Sequence, residues 1–355
     1  MKMSLKTVIA VSLIPQIMLV KWLGQNTDFI ESYYSMGLYP HISGFFRWLF
    51  GWIPFSVGDL LYFLLICTVI FYLYRRWTFI KTQKLKFLRD VLMVLSIAYL
   101  TFHLVWGFNY YRRPLSEKLG LTETKDYQEL LDFTERLIQK TNSIQEYVVG
   151  DTLEKVNIPY SQNEMFQMSI EGYHELAKEF GFLGYEHPSV KTSLFSTGLT
   201  YMGYAGYLNP FTNEAQVNGI LPNFRFPIVT GHEIGHQLGY SAENETNFIG
   251  YLVTSKNKDP YFQYAAYAYV MGYCLSDVRR GNRETFDRMF QKLNPGVRAN
   301  FEEMALFWEQ YENPLEPVFK SIFNSFLKAN NQEQGIKSYN GVVSLVIAYH
   351  KKYPL

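Results

Sequence analysis

Three stretches near the start of the chain are apolar almost without interruption, whereas the apolar positions after them recur at regular intervals. Residues 7–23, 53–74 and 91–108 each approach the ~20 residues with which an apolar helix, rising ~1.5 Å per residue, crosses a bilayer. Beyond residue 115 the spacing is helical. Residues 125–140 carry Leu130, Leu131, Phe133, Leu137 and Ile138 on one stripe, and residues 162–180 follow Ser161, whose Glu164 three positions on makes a capping-box pattern. Residues 190–218 break into short glycine-punctuated runs at 193–196, 201–208 and 214–218, with Asn209-Pro210-Phe211-Thr212-Asn213 as a turn. A small antiparallel sheet is expected there, with a free edge suited to an extended peptide. Helical periodicity then returns from Pro227 to a stop at Gly239, again after Ser241, and at 260–278, 283–293, 295–310, 314–328 and 335–349. The expected fold is mainly α. A three-helix transmembrane region (residues 1–110) precedes a mostly helical domain (115–355), whose small antiparallel sheet comes just before the helix at Pro227.

Charge gives the apolar runs a direction. Arg75, Arg76, Lys81, Lys84, Lys86 and Arg89 lie between the second and third runs, whereas the loop at 24–52 holds Arg47 as its one basic residue, with Asp28 and Glu31. The positive-inside rule then puts the N-terminus and the basic loop in the cytoplasm and everything after residue 108 outside it. Lys2 and Lys6 ahead of the first run fit a signal peptide as well, but no small-x-small cleavage site follows, so an uncleaved span is expected. Aromatic residues make up 17% and charged residues 18%, a bias that fits contact with lipid. A net charge of +1 and the lack of a basic cluster interleaved with a recognition motif argue against nucleic acid as a partner. Cys67 lies within an apolar run, so no structural disulfide with Cys274 is expected.

The chemistry concentrates in one stretch. His232-Glu233-Ile234-Gly235-His236 places two imidazoles four residues apart, on one face of a helix, where they can share a zinc ion. Glu233 is placed to act as general base on a water held by that metal. A catalytic zinc takes three protein ligands and keeps one position open, and Glu243 and Glu245 are the candidates for the third. Glu243 shares a helical face with Asn247, whereas Glu245 is rotated by ~200° at ~100° per residue, which favours Glu243 as ligand with Asn247 behind a histidine. Tyr339 is a candidate oxyanion donor, against the plainer reading that it only packs. His174, with no partner at ligand spacing, reads as a packed or surface residue, and His103 as a histidine near a helix end. The run Trp106-Gly107-Phe108-Asn109-Tyr110 reads as an interfacial anchor.

The pairing of His232-Glu233-x-x-His236 with Glu243-x-x-x-Asn247 resembles the gluzincin metallopeptidases. That resemblance implies a zincin-like domain in which Glu243 is the third ligand and Asn247 stands where the family has an aspartate. Asparagine is neutral, so it can orient a histidine without raising its basicity as a carboxylate does. More broadly, the three spans, Trp106-Gly107-Phe108-Asn109-Tyr110, Pro210-Phe211-Thr212-Asn213-Glu214, the zinc motif and Ser338-Tyr339 resemble a bacterial family of membrane-anchored H-E-x-x-H proteins known as a domain of unknown function.

The expected function is a zinc metallopeptidase of the bacterial cytoplasmic (inner) membrane. It would be multi-pass, partnered by the lipid bilayer, with its catalytic domain outside the cytoplasm and a peptide or protein of the envelope as substrate. The alternatives are a non-catalytic envelope sensor or scaffold with a structural or vestigial zinc site, and a zinc amidase acting on a non-protein amide. Glu233 discriminates against the sensor, since a structural site needs no general base.

Overall fold

The computed structural model describes residues 3–123 and 126–355; Lys2, and Lys125 at the expected start of the first amphipathic helix, lie outside the described residues. Among the described residues, three helices are long and apolar enough to cross a membrane: Leu5–Gly24, Val57–Arg75 and Lys84–Val105. The third starts seven residues before the apolar run at 91, because Lys84, Lys86 and Arg89 are good helix formers and continue it beyond the apolar stretch. Its expected last residues instead form a tight 3-10 turn, Gly107–Tyr111. The third helix packs along the first, whereas the second stands apart from both, with Leu64, Leu65, Ile66 and Ile70 all more than half exposed.

The segment at 24–52, expected as a loop, is helical. Ile30–Leu38 takes π-helical turns and leads into the α-helix Tyr39–Phe50, with Pro40 in its first turn. This segment lies against the remainder of the protein through Tyr34, Tyr39, Ser43 and Arg47, all buried, and exposes Phe45 and Trp48 on its other side. Tyr34 and Tyr39 join Val20, Ile30, Trp106, Phe108 and Tyr110 in an aromatic core of their own. The larger core is built from residues 115 onward and includes Phe133, Tyr173, Phe226, Phe248, Tyr251 and Phe262.

Most expected helices are present: Tyr127–Val149, Gln162–Glu179 with both capping-box hydrogen bonds, Pro260–Gly281, Arg283–Phe290, Pro295–Glu309 and Glu316–Ala329. The last expected helix opens with 3-10 turns, Gly335–Gly341, before Val342–Lys352.

The sheet is mixed, not purely antiparallel. Strands β1 (Val190–Thr192), β2 (Gly206–Asn209) and β3 (Glu214–Val217) lie in the order β1-β3-β2. β2 and β3 form the expected hairpin, Gly206 opposite Val217 and Asn209 opposite Glu214. β1 runs parallel to β3 because residues 193–205 do not extend as a strand; they turn and form the short helix Ser196–Tyr201. That crossover carries the chain past the central position, which β3 then fills, and leaves β2 at the edge.

The helix Phe226–Gln237 bears the histidine motif and packs on Glu243–Ser255. Their backbones touch. A Cβ added to Gly231 would lie 3.0 Å from the Gly250 Cα, so only glycine allows the crossing to be this close. Gly239, at φ +84, ends the first helix in the left-handed conformation and turns the chain into the second.

Candidate metal centre

The close crossing brings the ligand types together. His232 and His236 project from the same face of the motif helix, their rings 4.7 Å apart between centroids. Each has its Nδ1 engaged from behind. The His236 Nδ1 donates to the Tyr240 carbonyl at 2.7 Å, and the His232 Nδ1 donates to the Asn247 Oδ1 at 2.8 Å. A carbonyl only accepts, so the His236 proton sits on Nδ1; the Tyr269 hydroxyl donates to the same Asn247 Oδ1 at 2.6 Å and fixes the amide's orientation. With the rings deprotonated, as a metal requires, both Nε2 atoms would present lone pairs to one space.

Glu243 closes that space. Its Oε2 lies 3.3 Å from the His232 Nε2 and 3.5 Å from the His236 Nε2, and it is buried without a hydrogen-bond partner. A buried carboxylate oxygen left orphaned costs free energy unless something charged meets it. Ligands at about 2.0–2.1 Å from a tetrahedral zinc stand about 3.3–3.4 Å apart, so both separations suit an ion held among the three atoms. Glu233 also brings a carboxylate oxygen within 4.8 Å of the histidine nitrogens, so distance alone would admit it as a ligand. Glu243 fits better, because one of its oxygens faces both Nε2 atoms at ligand-to-ligand separation.

Glu233 occupies the adjoining place. It is buried, its Oε2 has no partner, and its Oε1 lies 2.7 Å from where a Cβ on Gly206 would stand. The edge strand β2 can approach the carboxylate only because residue 206 is glycine. Burial pushes the Glu233 carboxyl up to about 6, against the pull of His232 and His236. Burial would also lower His236 and raise Glu243, but their mutual attraction outweighs it. His236 rises to about 9, and Glu243 is held well below the usual carboxylate range.

Tyr339 is brought to the same cavity. Its ring lies parallel to that of His232, at 9° and 6.4 Å, and its phenol faces Glu243. Burial and that carboxylate keep it protonated, and so able to donate. Its backbone carbonyl accepts from the Asn247 amide at 3.4 Å, joining the last turns of the chain to the histidine support. Glu245 is not at the site. It points the other way, accepts from the Leu115 N–H at 2.6 Å, and is pushed up to about 7 by burial. His174 is exposed and bonds the Tyr185 carbonyl at 3.1 Å; His103 is buried against Tyr99 and Phe108, away from the cluster.

The residues that hold the end of the motif helix were not singled out from the sequence. A helix leaves its last carbonyls unpaired, and here they are met from the N-terminal region. The Trp106 indole donates to the His236 carbonyl at 3.1 Å, the Tyr39 and Ser43 hydroxyls to that of Gln237 at 2.8 and 3.0 Å, and Arg112 to that of Gly239 at 2.8 Å. The Gln237 side chain is itself held by Tyr185, Ser189 and Asn213. Trp106 therefore does more than anchor: it buttresses a histidine of the cluster. The sequence carries no local signal for these contacts; Asn109, polar inside an aromatic run, is fully buried but its side chain meets none of these carbonyls.

Fold and geometry thus define a class: a mainly α chain with three membrane-length helices and a buried His–Glu cluster fastened to one end of them. The chain belongs to the family described as "Protein of unknown function (DUF3810)", whose model matches residues 34–347. No curated protein and no solved structure matches it.

Proposed function

We propose that this chain is a membrane-anchored, zinc-dependent metallopeptidase that hydrolyses peptide bonds with Glu233 as general base. The observation that carries this reading is the pairing of two orphaned carboxylate oxygens. The Glu243 Oε2 is set at ligand separation from two oriented imidazoles, and the Glu233 Oε2 is unpaired beside them. His232, His236 and Glu243 would hold the ion. A bound zinc would supply Lewis acidity, lowering the pKa of its water towards about 7 and polarising the scissile carbonyl.

The chain's own groups do the remainder. Glu233, with its pKa raised by burial, is poised to take a proton from the attacking water and return it to the leaving amine as the C–N bond breaks. Tyr339 offers a phenol proton to negative charge developing on the carbonyl oxygen. The free edge of β2, beside Glu233, presents backbone groups with which an extended peptide can pair.

Membrane insertion and orientation are part of the proposal. The basic residues between the second and third apolar helices favour a cytoplasmic location for that end and for the N-terminus. The metal site is fastened to the opposite end, through Trp106 and through Glu214, which accepts from the Val57 N–H at 3.1 Å. It would thus face outward from the cytoplasmic membrane, towards peptides or proteins of the envelope.

Zinc analysis and peptide hydrolysis by the purified full-length protein test this together. About one zinc per chain, with turnover lost and metal kept in Glu233→Gln, is the expected result. Full activity of metal-stripped protein, or unchanged turnover in the variant, would sink the proposal.

A further inference from the structure

The cavity that holds the metal cluster does not end at the edge of the soluble part. Its volume is about 820 Å³, and its walls run on to Tyr62, Leu65 and Ile66 of the second apolar helix, Phe102 of the third, and Phe323 and Phe326 of the helix Glu316–Ala329. Leu65 and Ile66 lie eight and nine residues beyond Val57, so ~12–14 Å along the helix at ~1.5 Å per residue. In the orientation proposed above that depth lies inside the hydrocarbon layer. The second helix is fastened at its start, where Asp59 accepts from the Ser193 hydroxyl at 2.9 Å and the Leu194 N–H at 2.6 Å. Below that point it makes no extensive contact with the third, and residues of both line the cavity, so the gap between them offers a side opening.

Resting on the peptidase reading, we propose that the substrate is a peptide carrying a long acyl chain, which enters this opening sideways from the outer leaflet. Three observations support that chemistry. First, among the described residues the cavity wall carries no ionisable group besides tyrosines and the cluster His232, Glu233, His236 and Glu243, so away from that cluster it offers no countercharge to a charged side chain. Second, the walls of the opening belong to helices whose backbone groups are already paired. An extended peptide backbone there would lose its hydrogen-bond partners, whereas a hydrocarbon chain has none to lose. Third, the helix Glu316–Ala329 shows the marks of an element lying at a membrane surface. Val318 and Ile322 are exposed at 52% and 63%, next to Leu315 at 60%, while Phe323 and Phe326 reach the cavity. The acyl chain would lie between the second and third helices while the scissile amide reaches β2 and Glu233.

The test uses full-length Glu233→Gln protein, loaded with zinc, in phosphatidylethanolamine–phosphatidylglycerol vesicles. The probe is an N-palmitoyl peptide bearing a photoreactive diazirine on the acyl chain. Labelling is expected at Leu65, Ile66, Phe102 or Phe326, displaced at least tenfold better by unlabelled palmitoyl peptide than by the same peptide without its chain. Leu65→Trp should lower that labelling several-fold, whereas Ile70→Trp, on the same helix but away from the cavity, should not. Labelling spread like that of a diazirine phospholipid, or equal displacement by the unacylated peptide or by a transmembrane peptide, would overturn the acyl assignment. Cleavage assays separate the two proposals. Wild-type protein that cleaves acylated and unacylated peptides equally well would overturn the acyl site and leave the peptidase standing. Groove labelling with neither peptide cleaved would do the reverse.

Discussion

Glu243 and Glu245 open the same helix two residues apart, both are buried, and they face different regions of the molecule. On one side, Glu243 meets two imidazoles and holds between them an oxygen that accepts no hydrogen bond. On the other, Glu245 meets the Leu115 N–H and, further off, Arg112. Burial works to raise both carboxyls, yet only Glu245 rises; the histidines hold Glu243 ionised. Burial therefore does not single out a candidate ligand. What does so is an oxygen without a hydrogen bond where two imidazole nitrogens converge.

Substitutions can break this comparison, and the largest effect belongs to neither residue. Glu233→Gln should lower kcat by about 10²–10⁴-fold with zinc content unchanged; a loss of zinc instead would move Glu233 from base to ligand. Next in size, Glu243→Ala should weaken zinc binding by more than about 100-fold, beyond what loss of a supporting residue costs. Glu245→Ala should leave zinc affinity alone and lower stability by about 1–3 kcal/mol, since it strands the buried Leu115 N–H. Zinc titration and denaturant unfolding of the pair would reveal a reversed ranking. Asn247→Ala should cost about 10–100-fold in zinc affinity by releasing His232, with Asn247→Asp restoring it.

The smallest effect is one of pH. His236 lies above its ordinary 6.5, so in metal-free protein its pairing with Glu243 stabilises fully below that pH and is lost as pH rises through about 9. Zinc needs the deprotonated imidazole and gains over the same window. The increase in Tm on adding zinc should therefore grow between pH 6.5 and about 9, and a constant increment would remove the pair from the metal-free state.

The legible parts of this molecule were those that depend on local periodicity. Four-residue spacing aligned His232 with His236 and Glu243 with Asn247, and long apolar runs marked the three membrane-length helices. The hairpin at Asn209–Asn213 was readable from its turn residues, but the parallel partner β1 was not, because a crossover leaves no local signal of where its strands end up. The same holds for the clamp on the motif helix. Tyr39 and Gln237 lie 198 positions apart, Trp106 and His236 130 apart, and nothing in the composition of residues 24–52 distinguishes a docked helix from a loop. Gly206, Gly231 and Gly250 were likewise silent, since the close approach that each allows is visible only from its neighbour.

The most direct measurement is X-ray absorption at the zinc edge on full-length Glu233→Gln protein, alone and combined with Glu243→Ala. The expected spectrum of the first shows one zinc per chain with two imidazole nitrogens and a carboxylate oxygen at about 2.0–2.2 Å. The second should lose that oxygen, or the metal altogether. A full carboxylate contribution surviving without Glu243, or no zinc in either protein, would contradict the metal centre on which the proposed chemistry stands.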